Sequence, residues 1–171
     1  FASCRDGFYV DQKGKNGKHY SYTNCHFLPV NHLTALHQDN KGNIWIATKG
    51  GLGVMAPDGY RTSVALFAIG TNKVADPDIR DVITDHQNHL WMATSTQGII
   101  RVEATPHALQ QAKTHIYNPA RGTLSAKHVL CLFIDSKNQL WAGTEGSGLC
   151  LYDPSSDTFV DKHLAYNLPG D

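Results

Sequence analysis

The sequence has no run of 18 apolar residues, and so no segment with the length and apolarity of a membrane-crossing helix. It has no surplus charge either. Fifteen Lys and Arg balance fifteen Asp and Glu, and no basic stripe gathers on any stretch, which argues against a nucleic-acid partner. No Gly-rich loop ending in Lys offers a phosphate cradle, no nucleophile elbow is present, and no Cys pair stands at zinc spacing. The apolar runs are four to seven residues long, too short for helices of ordinary length. What remains is a chain of short strands, 171 residues long, enough for one ordinary domain.

Against this spare background one pattern recurs. An Asp is followed six residues later by a Trp and three residues after that by a Thr: Asp39-Trp45-Thr48, Asp85-Trp91-Thr94 and Asp135-Trp141-Thr144. These are the only three tryptophans, and they lie 46 and 50 residues apart. A period of this size marks a repeat architecture. Each copy opens on an apolar run that ends at the Asp. A turn follows, bearing Gly42, Asn88 or Asn138, then a run through the Trp, a loop with Gly51, Gly98 or Gly148, and a third run. Gly and Asn tolerate the positive φ that short hairpin loops require, and an Asp opening a turn accepts nearby backbone N–H groups. Fourth strands are expected around Ser63–Ala68, His115–Tyr117 and Thr158–Val160. A weaker copy opens the chain, with Phe1 in the place of Trp and Gly7-Phe8 after it. There Lys15-Asn16-Gly17-Lys18 predicts a hairpin turn.

Four-stranded units of this length predict an all-β fold of β-propeller blades, forming a partial propeller. The expected division is a partial blade over 1–30 and blades over 31–76, 77–126 and 127–171. A seven-bladed ring would need roughly 300 residues at this repeat length. The phase of the repeat therefore predicts an arc whose end blades have uncovered, sticky faces, and hence either self-association or a cleaved remnant of a larger propeller. A closed four-bladed ring is the less favoured alternative.

The strings Val-x-x-Leu-x-x-Asp, Asn-x-Leu-Trp-x-Gly-Thr and Gly-x-Gly-Leu-x-x-Tyr-Asp resemble the two-component regulator propeller repeat. The copy from Val129 to Asp153 carries all three. The resemblance implies the extracytoplasmic, periplasmic sensor part of a hybrid two-component histidine kinase of the Bacteroidetes type, in which propellers help to sense glycan fragments. It implies as partners an oligosaccharide ligand, the remaining blades and the kinase part of a parent protein. Two other readings stand beside it: a protein-interaction propeller without a small ligand, and a polysaccharide lyase or hydrolase. The segment is read as non-enzymatic, with no cofactor and no metal.

Residues that recur in every copy are expected to be scaffold. The Trp side chains would fill space between blades and the Asp side chains would cap turns. A glycosidase needs two carboxylates facing one pocket, whereas the repeat sets these Asp residues in equivalent turns of different blades. His86 and His89 share a turn at a spacing seen in metal sites, but no third ligand stands near them. Ligand candidates are instead the positions where the copies disagree, in loops that converge on one face. From the loops between second and third strands these are Arg5, Asp6, Lys49, Ser95, Gln97 and Glu145. From the loops leading into the first strands they are Asn31, His32, Asp78, Arg80 and His128. Arg80 stands out because Thr34 and Leu130 occupy its place in the other copies. Lys, Arg and His at one mouth would suit an acidic or sulfated sugar. Thr105-Pro106 predicts a short helix in a loop between third and fourth strands.

The cysteines are Cys4, Cys25, Cys131 and Cys150. Cys131 and Cys150 would lie two strands apart, about 9–10 Å, which is beyond disulfide reach. Cys4 and Cys25 could meet only if their loops approach. All four are expected to be buried free thiols.

Overall fold

A computed structural model describes residues 2–4, 7–12, 15–21, 24, 27–30, 32–64, 78–103 and 105–162. The described strands form four antiparallel sheets, each built from consecutive segments. The first holds β1 (Ala2–Cys4), β2 (Gly7–Gln12) and β3 (Lys15–Tyr20). The second holds β4 (Leu33–Gln38), β5 (Ile44–Thr48), β6 (Gly51–Met55) and β7 (Arg61–Val64). The third holds β8 (Ile79–Thr84), β9 (Leu90–Thr94), β10 (Ile99–Glu103) and β11 (Lys113–Tyr117). The fourth holds β12 (Val129–Ile134), β13 (Leu140–Thr144), β14 (Gly148–Asp153) and β15 (Thr158–Asp161). The sheets are successive propeller blades, and β8 lies against β4 on one side and β12 on the other.

The core follows from the two-residue alternation of strands. In β5, Trp45 and Ala47 face the third sheet, while Ile44 and Ile46 face the first. In β9, Trp91 and Ala93 face the fourth sheet and Leu90 and Met92 the second. Each inner sheet is thus buried on both faces. A fully buried large apolar side chain contributes about 1.5–3 kcal/mol, so Trp45 and Trp91, each at 2% exposure or less, are principal anchors between blades.

The expected turns hold. Gly42, Asn88 and Asn138 take φ of 82°, 62° and 62°. Other expectations shift. The opening hairpin does not turn at Lys15–Lys18: those residues lie within β3, where Gln12 pairs with Lys15 and Val10 with Lys18. The register is set by Phe8, which pairs with Tyr20 and stacks on it at 5.2 Å, together with an irregularity between Val10 and Gln12. The fourth strand of the second sheet starts earlier than Ser63, at Arg61, opposite Met55. The short helix is a 3-10 segment, Pro106–Gln111, with Pro at its start, and the Thr105 side chain makes no capping bond.

One feature repeats that spacing did not announce. The first strand of each full sheet carries a bulge, between Leu33 and Ala35, Ile79 and Asp81, and Val129 and Cys131. The extra residues are Thr34, Arg80 and Leu130. A bulge re-aims a side chain out of the ladder, which explains why these three equivalent positions differ so widely in chemistry.

Candidate functional site

The two ends of the sheets have different chemistry. At one end lie the Asp turns. Asp39 Oδ2 accepts the indole N–H of Trp45 at 2.9 Å, and its Oδ1 accepts the N–H groups of Lys41 and Asn43 at 3.0 and 2.8 Å. Asp85 does the same with Trp91, Gln87 and His89, and Asp135 with Trp141, Lys137 and Gln139. Burial alone would raise the Asp39 carboxyl, but the bonds from Asn43 and Trp45 outweigh it and hold the group below its ordinary value. The repeat Thr closes the next loop: Thr48, Thr94 and Thr144 each donate their hydroxyl to the carbonyl of Gly51, Gly98 or Gly148 at 2.8 Å. The recurrent residues are therefore scaffold, and the carboxylates are occupied by their own turns.

Two equivalent cavities open at this end, between consecutive blades. One, about 300 Å³, lies between Trp45 and Asn88 with Pro106 and His107 at its rim. The other, about 350 Å³, lies between Trp91 and Asn138 with Tyr152 and Pro154.

At the opposite end, backbone hydrogen bonds join each first strand's approach to the following loop. Lys49 N–H donates to the His32 carbonyl at 3.1 Å, Ser95 to Asp78 at 3.1 Å, and Glu145 to His128 at 3.0 Å. The eight described candidates, His32, Lys49, Asp78, Arg80, Ser95, Gln97, His128 and Glu145, therefore share this end. The structure brings them together blade by blade. Arg80 leaves its bulge to reach Asp78 at 3.5 Å, and His128 Nδ1 stands 3.8 Å from Glu145 Oε2. The Gln97 carbonyl meets the Asn118 amide at 3.5 Å. Arg5, Asp6 and Asn31 lie outside the described residues. Among the described residues, no group of three His, Cys, Asp or Glu is placed to hold a metal ion.

Several groups that bind blade to blade escaped the sequence reading. Asp81 Oδ2 accepts the Leu132 N–H of the next sheet at 2.8 Å, and burial raises this carboxyl despite the bond. His37 Nε2 accepts the Thr84 N–H at 3.1 Å. Arg101 lies over the Trp91 ring at 5.4 Å and donates to Tyr152 Oη at 3.0 Å and Asp157 Oδ1 at 3.3 Å. Tyr117 and Tyr152 donate to the same Asp157 oxygen at 2.7 and 2.6 Å. Burial would raise Asp157, but the two hydroxyls and Arg101 hold it below its ordinary value. The middle copy has Arg101 where Val54 and Leu151 stand in the others, and that disagreement was the available signal.

The family described as "Two component regulator propeller" matches residues 28–50 and 123–146, each containing one complete Asp–Trp–Thr unit. These segments are two-component regulator propeller repeats. Solved structures carry the same fold. The extracellular domain of the hybrid two-component system BT3049 from B. thetaiotaomicron is 19% identical with a TM-score of 0.68, covering 96% of this chain and 24% of that one. The extracellular domain of the one-component system BT4673 from the same organism is 16% identical with a TM-score of 0.68, covering 93% and 20%. Virginiamycin B lyase from Staphylococcus aureus is 16% identical with a TM-score of 0.62, covering 89% and 46%. The chain thus spans a quarter or less of the two sensor-system domains. No curated protein matches it in sequence. No helix among the described residues is long and apolar enough to cross a membrane.

Proposed function

We propose that this chain is a segment of a periplasmic sensor propeller in a hybrid two-component system, and that it takes part in binding a glycan-derived ligand. The observation that carries the reading is the match of two segments to the regulator propeller repeat, each centred on the same Asp–Trp–Thr hydrogen-bond set. The ligand-facing end is the one that gathers His32, Lys49, Asp78, Arg80, Gln97, His128 and Glu145. Its cations and hydrogen-bonding groups suit an acidic or sulfated oligosaccharide. The segment acts by binding and not by catalysis. In support, the recurrent carboxylates spend their acceptor positions on turn N–H groups and indoles, which leaves them poorly placed for acid–base work. The signal passes to a histidine kinase outside this chain as a change in domain arrangement.

Thermal-shift titration with neutral, uronic-acid-bearing and sulfated oligosaccharides tests this. A saturable shift with one anionic class, lost in Arg80→Ala or Lys49→Ala, is expected. No response across the panel would favour a protein-interaction propeller. Product release that persists through purification would point to an enzyme and reject the proposal.

A further inference from the structure

The two cavities at the Asp-turn end occupy equivalent places, yet their walls differ. Asn88 and Asn138 hold the same turn position, each with φ of 62°. Asn138 is exposed, whereas Asn88 is half-buried and lines the cavity between the second and third sheets. Its side-chain oxygen Oδ1 is closed off from solvent and has no hydrogen-bond partner among the described residues. A buried acceptor without a donor is costly, and such a group calls for an explanation. The third sheet also carries an insertion between its third and fourth strands, Pro106–Gln111, where the fourth sheet makes only a short turn. Thr105 and Ala108 beside Asn88 line a further recess of about 410 Å³ that shares Lys41 and Asn88 with the first. At the mouth, His107 Nε2 stands 3.1 Å from Asp58 Oδ2, and its ring lies 4.0 Å from that of Tyr60. The insertion is thereby fastened to the second sheet.

We propose that this cavity is a second binding site, and that it takes a neutral, hydroxyl-bearing ligand the size of one sugar ring. Its volume of about 300 Å³ lies at the lower end of the roughly 300–1,000 Å³ usual for small-molecule sites. Its charges argue against an ion of either sign. Asp39, Asp58 and Glu103 outnumber Lys41 along the two recesses, which disfavours an anion. A cation would need a carboxylate to spare, and each already has partners. Asp39 holds the Asn43 and Trp45 donors, Asp58 the Tyr60 N–H and His107, and Glu103 the Arg101 guanidinium at 3.5 Å. A hydroxyl needs no counter-charge. It can donate to Asn88 Oδ1 and accept from the Lys41 ammonium or from the Thr105 hydroxyl, which caps nothing. Pro57 and Pro106 supply apolar walls for the C–H faces of a ring. The site lies at the end opposite Lys49 and Arg80, and it does not depend on the anionic ligand proposed there.

Calorimetric titration with glucose, galactose, mannose, xylose and N-acetylglucosamine tests the proposal, with arginine and sulfate as charged comparators. Saturable binding of one neutral sugar in the millimolar range is expected. Asn88→Gly removes the amide while keeping the positive φ available, and should weaken that binding at least fivefold. Asn138→Gly makes the same change in the sister cavity and should leave the affinity as it was. His107→Ala unfastens the insertion and should also weaken binding, with circular dichroism checking that each variant keeps its fold. No saturable response to any neutral sugar would overturn the proposal. Affinity untouched by Asn88→Gly, or reduced equally by Asn138→Gly, would place the sugar elsewhere and overturn it too. Binding of arginine or sulfate that disappears in Asn88→Gly would make the cavity an ion site and do the same.

Discussion

Trp45 donates its indole N–H to Asp39, six residues earlier, at 2.9 Å. That bond ties a turn on the rim of a blade to the largest side chain in the junction with the next blade. The same Asp collects the Asn43 side-chain amide at 2.8 Å, so four donors depend on one carboxylate. Asp39→Ala would strand these donors beneath a buried Trp. Each buried donor left without a partner costs about 1–3 kcal/mol, and partial access to water should bring the total to about 2–4 kcal/mol. Asp135→Ala removes the equivalent set from an open blade face and should cost distinctly less. Urea unfolding of the two variants measures the difference, and equal losses would contradict a junction role for the Asp39 bond.

The junction between the second and third sheets should weaken in mild acid. Burial pushes the His37 imidazole below its ordinary value of 6.5, although Asp39 and Asp81 favour its charged form. Its Nε2 accepts the Thr84 N–H, a bond that the protonated ring cannot make. The unfolded chain takes up this proton first. The contribution is therefore complete above 6.5 and falls as pH drops below it. Asp39 and Asp157 add a second loss at lower pH, because their folded values lie below 3.8. Asp81 has the opposite sign: burial penalises its ionised form, and acidification relieves that penalty. Melting temperature followed from pH 8 downward should decline first just below 6.5, and His37→Asn should flatten that first decline. An unchanged slope would remove His37 from the account.

The scaffold was legible in the sequence because each of its parts occurs three times. Gly42, Asn88 and Asn138 announced positive φ by residue type alone, and the Asp that opens each turn announced a cap, but its bond to the indole six residues on was not foreseen. Features that depend on register were hidden. Asn16-Gly17 is a strong local turn signal, yet Phe8 opposite Tyr20 places it inside β3. The bulges at Thr34, Arg80 and Leu130 have no residue signature, since a bulge is a relation between two strands. The cavities at Trp45 and Trp91 are built by residues of different blades, about 50 positions apart, and no local pattern encodes them. At the opposite end, disagreement between copies picked out positions that share one end of the sheets. It did not reveal that the side chains pair within blades, as Arg80 does with Asp78.

Two glycines with positive φ should respond differently to the same substitution. Gly98 has φ of 81°, and a Cβ there would overlap the Tyr117 carbonyl oxygen, a backbone atom that cannot move away cheaply. Gly59 has φ of 90° with nothing within 4 Å of the added carbon. Gly59→Ala should cost about 1 kcal/mol of conformational strain. Gly98→Ala adds a steric clash at the junction of β9 and β10 and should cost clearly more, enough to lower soluble yield. Thermal denaturation of both variants checks the ordering.

The cysteines offer a chemical test of the last sheet. The expectation that all were buried fails for Cys131, which is exposed because its strand borders the uncovered face. Cys150, also free, lies buried between the third and fourth sheets. Its thiol donates to Asp161 Oδ1 at 3.1 Å, and burial first, with that bond, pushes its pKa up to about 12. Cys4 has no described side chain and Cys25 lies outside the described residues. The thiolate is the reactive form, so maleimide at neutral pH should modify Cys131 in the folded protein and leave Cys150 unmodified until denaturant is added. Peptide mass mapping distinguishes the two sites. Native labelling of Cys150 at the rate of Cys131 would mean that the junction between these sheets opens on the timescale of the reaction, and would contradict the packing around Phe159 and Leu140.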